Sequence, residues 1–103
     1  MSALTSYPIE KPLEGLESYY DEFLANREKE HQELLSALTQ KNFTVIAEMA
    51  HKWKGFSEPY GFGQLGKIAK ELEEMAKSGQ DQKCQELLAS VGAYLTHKKT
   101  VHP

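Results

Sequence analysis

The residues best suited to chemistry lie between positions 50 and 66, in the stretch AHKWKGFSEPYGFGQLG. His51 stands beside Lys52 and close to Lys54, and a neutral imidazole is a good nucleophile near pH 7. Phosphoryl transfer requires mainly positioning and positive charge near the equatorial oxygens, which the lysines would supply. The alternative is a solvated surface histidine beside solvated lysines, and spacing alone leaves both interpretations open.

The helix that would carry His51 is predicted from residue 43 to about residue 57. Its apolar residues recur at helical spacing, and Asn42 is a good N-cap. A helix turns by about 100° per residue, so His51 and Trp53 lie about 160° apart around the axis. Because Trp53 lies in the middle of the apolar face, His51 is predicted to point away from the core.

Three neighbours of His51 fit this outward placement. Lys54 follows three residues later on the same side of the helix, and Lys52 can assist from further round the axis. Gly55 follows one turn after His51, and glycine inside a helix costs about 1 kcal/mol relative to alanine. A glycine at this position favours an imidazole that is kept open to a large partner.

Four amphipathic segments predict an all-α fold, an antiparallel up-down four-helix bundle with an optional short extra helix at the N-terminus. No segment shows the alternation of a strand. We predict an N-terminal tail at residues 1–12, the bundle at 13–97 and a C-terminal tail at 98–103. Gly79 is predicted to end the third helix, and Asp81 to cap the fourth. In chain order, the predicted core residues are Leu13, Leu16, Tyr20, Phe23, Leu24, Leu34, Leu35 and Leu38; Ile46, Met49, Ala50, Trp53 and Phe56; Leu65, Ile68, Ala69, Leu72, Met75 and Ala76; and Cys84, Leu87, Leu88, Val91, Tyr94 and Leu95.

Composition narrows the classes of function. The 103 residues carry a net charge of −3 without a block of like charge, which argues against nucleic acid as a partner. No apolar run is long enough for a transmembrane helix, and the first residues lack the pattern of a signal peptide. Cys84 is the single cysteine, which excludes an internal disulfide and predicts a small buried residue. We therefore expect a monomeric, cytoplasmic, one-domain protein that does not enter a membrane.

The residues around and after His51 follow the pattern of a known family. The matching positions are His51, Lys54 and Gly55, then Gly61, then Leu65, Ala69, Leu72 and Glu73. This pattern resembles the histidine-containing phosphotransfer (HPt) domain over about residues 16 to 95. The resemblance implies that His51 carries a phosphoryl group, that Lys54 stabilises it and that Gly55 gives access. Gly61 would permit the turn between the second and third helices of the bundle.

Two residues depart from the family pattern. Phe56 is bulky, whereas many members have a small residue after the glycine of the motif. Glu73 occupies a position where some members place a glutamine near the histidine, and an ionised carboxylate cannot donate a hydrogen bond. Glu73 would instead accept from the Nδ1–H of His51 and orient the ring. Lys52, Glu73 and Gly61 are interpreted as supporting residues.

The resemblance implies a phosphorelay intermediate, and we expect it to be a stand-alone protein. His51 would accept a phosphoryl group from the aspartate of one response-regulator receiver domain and pass it to that of another, and a hybrid sensor histidine kinase would be a further partner. Mg²⁺ would be bound by the receiver, so no cofactor or metal is expected on this chain. The chain would act as a phosphocarrier and not as an autonomous enzyme. The alternative is a helical interaction module that docks a signalling partner without being phosphorylated.

Two other motifs compete with this interpretation. Segment 61–66 matches the dinucleotide motif G-x-G-x-x-G, but that motif requires a preceding strand and a parallel sheet, neither of which is predicted. Glu28-x-x-His31 and Glu48-x-x-His51 match the spacing of di-iron sites in helical bundles. Those ligands must all project inward, whereas His51 is predicted to point outward. His31 is therefore interpreted as a histidine at the edge of the core.

Overall fold

Four α-helices make up most of the protein. The computed structural model describes residues 10–101, none of which forms a strand. The helices are α1 (Tyr20–Thr39), α2 (Phe43–Phe56), α3 (Gly63–Lys77) and α4 (Asp81–Thr100). Each helix packs against the next one in sequence, and α4 returns to pack against α1. Because the connections are short, successive helices run antiparallel, and the predicted all-α four-helix bundle is confirmed.

The core of the bundle is close to the one that the sequence predicts. Fully buried side chains come from all four helices and include Leu34, Ile46, Trp53, Leu72 and Leu88. Two expected core residues are exceptions. Leu13 is 61% exposed because it lies before α1, and Leu35 is exposed because it lies one residue round the helix from the buried Leu34. Within the four helices, Leu35 is therefore the one predicted core position that is exposed, and the others are buried or packed against the core.

The first helix begins later than residue 13, where the bundle is predicted to start. α1 starts at Tyr20, and one 3-10 turn, Glu17–Tyr19, leads directly into it. The optional extra N-terminal helix is therefore not confirmed. Gly15 has a φ of +93°, a conformation that a right-handed helix cannot contain, so a helix starting at Leu13 would be interrupted.

Residues 10–16, which we call the strap, cross the connection between α2 and α3. The backbone N–H of Leu13 donates to the carbonyl oxygen of Pro59 at 2.8 Å. The Glu10 carboxylate accepts from the backbone N–H of Gln64 at 2.6 Å and so caps the N-terminus of α3. The beginning of the strap therefore belongs to the folded domain, although the sequence predicts a tail there.

The last helix ends later than the sequence predicts. α4 continues to Thr100, past the expected start of a tail at residue 98. Lys98 is only 3% exposed; its ammonium donates to the Gly61 carbonyl oxygen at 2.7 Å and pairs with Glu10 Oε1 at 3.2 Å. The charge also lies 4.7 Å from the centroid of the Phe62 ring. This polar helix end is buried because the lysine finds partners in other segments.

Polar side chains define two of the connections. Asn42 Oδ1 accepts from the backbone N–H of Val45 at 3.3 Å, as expected for the N-cap of α2. At α4 the N-cap position is taken by Gln80, and not by Asp81 as predicted. Asp81 is the first residue of α4 and pairs with Lys41, which ties the connection between α1 and α2 to α4.

Gly61 forms the turn between α2 and α3 that the sequence predicts. Its φ is +90°, which residues with a side chain rarely adopt. A Cβ at this position would also lie 2.8 Å from the backbone nitrogen of Pro12. Glycine is therefore required here by the turn and, independently, by the close approach of the strap.

Candidate functional site around His51

The burial of Trp53 places His51 on the outer face of α2. Trp53 is fully buried, and its indole N–H donates to Glu30 Oε1 on α1 at 2.7 Å, which fixes the rotation of α2 about its axis. The His51 side chain is 67% exposed, in agreement with the spacing argument. The imidazole is therefore accessible at the surface while its helix is anchored from behind.

Glu73, one turn before the end of α3, connects the groups around the histidine. Its side chain is only 7% exposed, and its two carboxylate oxygens bind three donors. Oε2 lies 3.0 Å from His51 Nδ1 and 3.0 Å from Lys77 Nζ, and Oε1 lies 2.8 Å from Lys54 Nζ. One buried carboxylate thus joins the predicted nucleophile to lysines on two different helices.

Gly66 lies at the contact that brings α3 close to α2. A Cβ on Gly66 would lie 3.8 Å from the carbonyl oxygen of Lys54, so the two helices approach closely there. Gly66 precedes Glu73 by two turns and lies on the same face of α3. Gly61 lies in the connection and contacts the strap, so it shapes the loop and does not line the site. The glycines of the G-x-G-x-x-G spelling therefore serve the loop and the helix contact.

The surroundings of Glu73 determine which ring nitrogen carries the proton when the His51 imidazole is neutral. Hydrogen bonds from Lys54 and Lys77, and a smaller contribution from His51, lower the pKa of Glu73 from 4.5 to about 2, although burial opposes this shift. The carboxyl group is therefore ionised at neutral pH and can only accept hydrogen bonds. In the neutral imidazole, Nδ1 must then carry the proton, and Nε2 keeps the lone pair.

The two lysines that the sequence singles out have different surroundings. Lys54 is partly exposed, and its ammonium is bound by Glu73 beside the imidazole. Lys52 is exposed and forms no ion pair within residues 10–101. Lys52 and His51 line the same surface cavity of 580 Å³ between α2 and α3. Both cations therefore lie in the immediate surroundings of the histidine.

Lys77 belongs to the site, although its sequence pattern does not distinguish it from other surface lysines. It lines the same cavity and follows Glu73 by one turn of α3. A glutamate followed four residues later by a lysine is a common stabilising pair on helix surfaces. That spacing was the available signal, but it does not by itself distinguish a site from an ordinary solvated helix face.

Gly55 and Phe56 end α2 with opposite consequences for the site. A Cβ at Gly55 would have no atom within 4 Å, so the fold of this chain does not require glycine there. Phe56 is half-buried; its ring centroid lies 4.7 Å from the Arg27 guanidinium and 5.8 Å from the Phe23 ring centroid, both on α1. The bulky side chain that departs from the family pattern therefore packs against α1, away from His51.

The first Glu-x-x-His pair of the di-metal alternative is engaged in other contacts. His31 lies at the edge of the core, as predicted, and its Nε2–H donates to the Leu88 carbonyl oxygen at 2.8 Å. Glu28 pairs with Lys99 at 2.9 Å. Across the described part of the chain, no three His, Cys, Asp or Glu side chains are grouped so that they could hold a metal ion.

The comparison with known families agrees with this arrangement. A family model described as the Hpt domain matches residues 18–99, which include nearly the whole of the four helices. The chain belongs to the Hpt domain family. Hpt domains have a histidine phosphotransfer role in the phosphorelays of two-component signalling, and they are phosphocarriers rather than enzymes. They interact with response-regulator receiver domains and with kinases.

Two further findings concern this Hpt domain. Comparisons with curated proteins and with solved structures give no match. Between residues 10 and 101, no helix combines the length and the apolar character needed to cross a membrane.

Proposed function

We propose that this Hpt domain accepts a phosphoryl group on Nε2 of His51 from a receiver-domain aspartate and passes it to the aspartate of a second receiver. The observation that carries the proposal is the 3.0 Å contact between His51 Nδ1 and the buried, ionised carboxylate of Glu73. That contact orients an otherwise exposed ring and leaves its second nitrogen available. A solvated surface histidine would not need a buried carboxylate from a neighbouring helix.

The transfer step can be written from these atoms. The lone pair of Nε2 forms a bond to phosphorus, and the bond from phosphorus to the aspartyl oxygen breaks with its electron pair, which restores the receiver carboxylate. The imidazole ring keeps its proton on Nδ1 and becomes positively charged as the new bond forms. The negative charge of Glu73, fixed in place before the reaction, stabilises that developing charge. Onward transfer is the same step in reverse with a second receiver.

The remaining site residues have supporting roles in this proposal. Lys54 stabilises the phosphoryl oxygens, and Lys52 contributes further positive charge from the cavity beside the ring. Gly55 keeps the approach to His51 free for a receiver, since a Cβ on it would meet no other segment of residues 10–101 within 4 Å. Gly61 acts indirectly, through the shape of the connection that joins α2 to α3.

The partners and the cofactor requirement that we propose follow from the same phosphoryl-transfer step. A hybrid sensor histidine kinase and response-regulator receivers would be the partners, with Mg²⁺ bound by the receiver and no cofactor on this chain. The carrier would work as a cytoplasmic monomer, without nucleic acid or membrane as a partner.

Transfer of label from a phosphorylated receiver tests the proposal. Wild-type protein should acquire an acid-labile, alkali-stable phosphoryl group, and His51→Gln should acquire none. His97→Gln, a histidine variant on α4, is the matched control and should be labelled like the wild type. Absence of label on the wild type with every receiver and with phosphoramidate would contradict the proposal and favour the docking module. Equal labelling of His51→Gln would exclude His51 as the acceptor.

A further inference from the structure

We propose that Lys77 is a positioning residue of the site: it holds the Glu73 carboxylate in place when Lys54 leaves that carboxylate for the transferred phosphoryl group. The inference rests on the proposed function and adds to it a residue that the family pattern around His51 does not include.

The division of donors between the two carboxylate oxygens supports this exchange. Lys54 binds Oε1, at 2.8 Å, whereas Lys77 and His51 both bind Oε2, at 3.0 Å each. Departure of Lys54 would therefore vacate one oxygen and leave the contacts at the other unchanged. Oε2 would keep both the hydrogen bond from the imidazole Nδ1 and the ion pair with Lys77.

A second cation is needed because Glu73 is buried. With a side chain only 7% exposed, the carboxylate has little access to water once a lysine leaves. A buried carboxylate without a cation is strongly disfavoured and would resist the release of Lys54. Lys77 lies on the same helix as Glu73, so it remains beside the carboxylate whatever happens on α2.

Lys54 is the lysine that can move. It lies on α2, three residues after His51, so both side chains project from the same side of one helix. A phosphoryl group on Nε2 brings about two negative charges to a side chain that is otherwise paired with one carboxylate. The flexible four-carbon stem allows the ammonium to turn from Glu73 to these oxygens. Lys77 and the protonated Nδ1 then balance the charge of Glu73.

A matched pair of lysine variants separates this role from that of an ordinary surface ion pair. Lys77 is 66% exposed and pairs within one helix, as does Lys83, whose partner Glu86 is exposed and lies 3.7 Å away on α4. Lys77→Met and Lys83→Met remove the same charge from similarly exposed positions. Lys77→Arg restores the cation and serves as the rescue.

Phosphorylation is measured with phosphoramidate, which needs no receiver surface. Lys77→Met should slow labelling of His51 by roughly three- to tenfold, whereas Lys83→Met should leave the rate unchanged. Lys77→Arg should recover most of the rate. In the wild type, the Nζ resonance of Lys54 should shift on phosphorylation, whereas that of Lys77 should remain near its original position.

A second measurement needs no phosphoryl group. In unphosphorylated protein, ¹³C NMR should show that Lys77→Met raises the pKa of Glu73 above its wild-type value of about 2, which Lys83→Met should not do. Equal labelling rates for Lys77→Met and Lys83→Met, with an active wild type, would overturn the role of Lys77 and leave the proposed function intact. A wild type that no donor can label would overturn the proposed function itself.

Discussion

Nδ1 of His51 lies 3.0 Å from Oε2 of Glu73, so an exposed ring on α2 is oriented by a buried carboxylate on α3. The two residues are 22 positions apart in the sequence, and only the packing of α3 on α2 brings them together. Because the carboxylate is ionised, it sets the tautomer of the neutral ring as well as its direction. The orientation and the tautomer of His51 therefore depend on the contact between two helices.

Replacement of Glu73 by glutamine should slow phosphorylation of His51. The amide oxygen can still accept from Nδ1–H, but the negative charge that stabilises the charged ring is lost. We expect labelling by phosphoramidate to slow by roughly 10- to 100-fold. Glu74→Gln, an exposed change at the next position, is the control. Equal rates for both variants would show that Glu73 does not assist the transfer.

The depressed pKa of Glu73 predicts a contribution to stability that depends on pH. Glu73 has a pKa of about 2 in the folded protein, compared with 4.5 for the free group. The contribution of ionised Glu73 to the free energy of unfolding is therefore fully present above pH 4.5. It is lost as the pH falls from 4.5 towards 2, because in this range the unfolded chain binds a proton that the folded protein does not. Urea denaturation across this range should show wild type and Glu73→Gln converging in stability. A difference that stays constant down to pH 2 would contradict the assignment.

Gly55→Ala should increase the stability of the protein but hinder the access of a receiver to His51. Apart from the backbone of its own helix, the added methyl group meets no atom of the described residues within 4 Å, so alanine should stabilise the protein by about 0.5 to 1 kcal/mol. Transfer from a phosphorylated receiver should slow, because the methyl group projects where the partner approaches. Labelling by phosphoramidate, a small donor, should be unaffected. Equal slowing with both donors would point to a local change at His51 and not to access.

Lys98→Met should destabilise the protein far more than Lys99→Met. Lys98 is buried and donates to the Gly61 carbonyl oxygen, so its loss leaves unpaired polar groups and should cost about 2 to 3 kcal/mol. Lys99 is exposed and forms a surface ion pair with Glu28, so its replacement should cost less than about 0.5 kcal/mol. Urea midpoints measure the difference, and similar midpoints would contradict the burial of Lys98.

A comparison of the single variants Gly61→Ala and Gly79→Ala should isolate the effect of the strap on the free energy of unfolding. Both glycines have positive φ values, +90° and +65°, so alanine should cost each about 1 kcal/mol of backbone strain. At Gly79 the new Cβ would meet nothing within 4 Å, whereas at Gly61 it would lie 2.8 Å from the backbone nitrogen of Pro12. The loss of stability should therefore be larger for Gly61→Ala. Equal losses of stability would mean that the strap moves away from the new Cβ without a cost in free energy.

Helical periodicity was sufficient to predict the four-helix fold and the orientation of His51. Burial of Trp53 and exposure of His51 follow from the angle between two residues on one helix. The contact with Glu73 was anticipated from the family resemblance, because periodicity gives the face of each helix but not the register between helices.

The parts that escaped prediction depend on partners that are distant in the sequence. Lys98 looks like part of a polar tail, and its burial requires Glu10, which is 88 positions away. Lys77 looks like an ordinary member of a surface pair until the burial of Glu73 is known. The strap was missed because its hydrogen bonds reach backbone groups of the connection between α2 and α3 and of the first turn of α3, which leave no periodic signal.

The hydrogen bond from Trp53 to Glu30 has a practical consequence for the study of partner binding. Trp53 is the only tryptophan of the chain, and it lies two residues after His51 on the opposite side of the same helix. Its indole ring is buried and is hydrogen-bonded to the Glu30 carboxylate. Its fluorescence emission should therefore change when α2 rotates or shifts. A receiver that docks over His51 would leave the fluorophore uncovered by the interface. The protein therefore carries an intrinsic optical probe of its own site, without a label on the surface that a partner must contact.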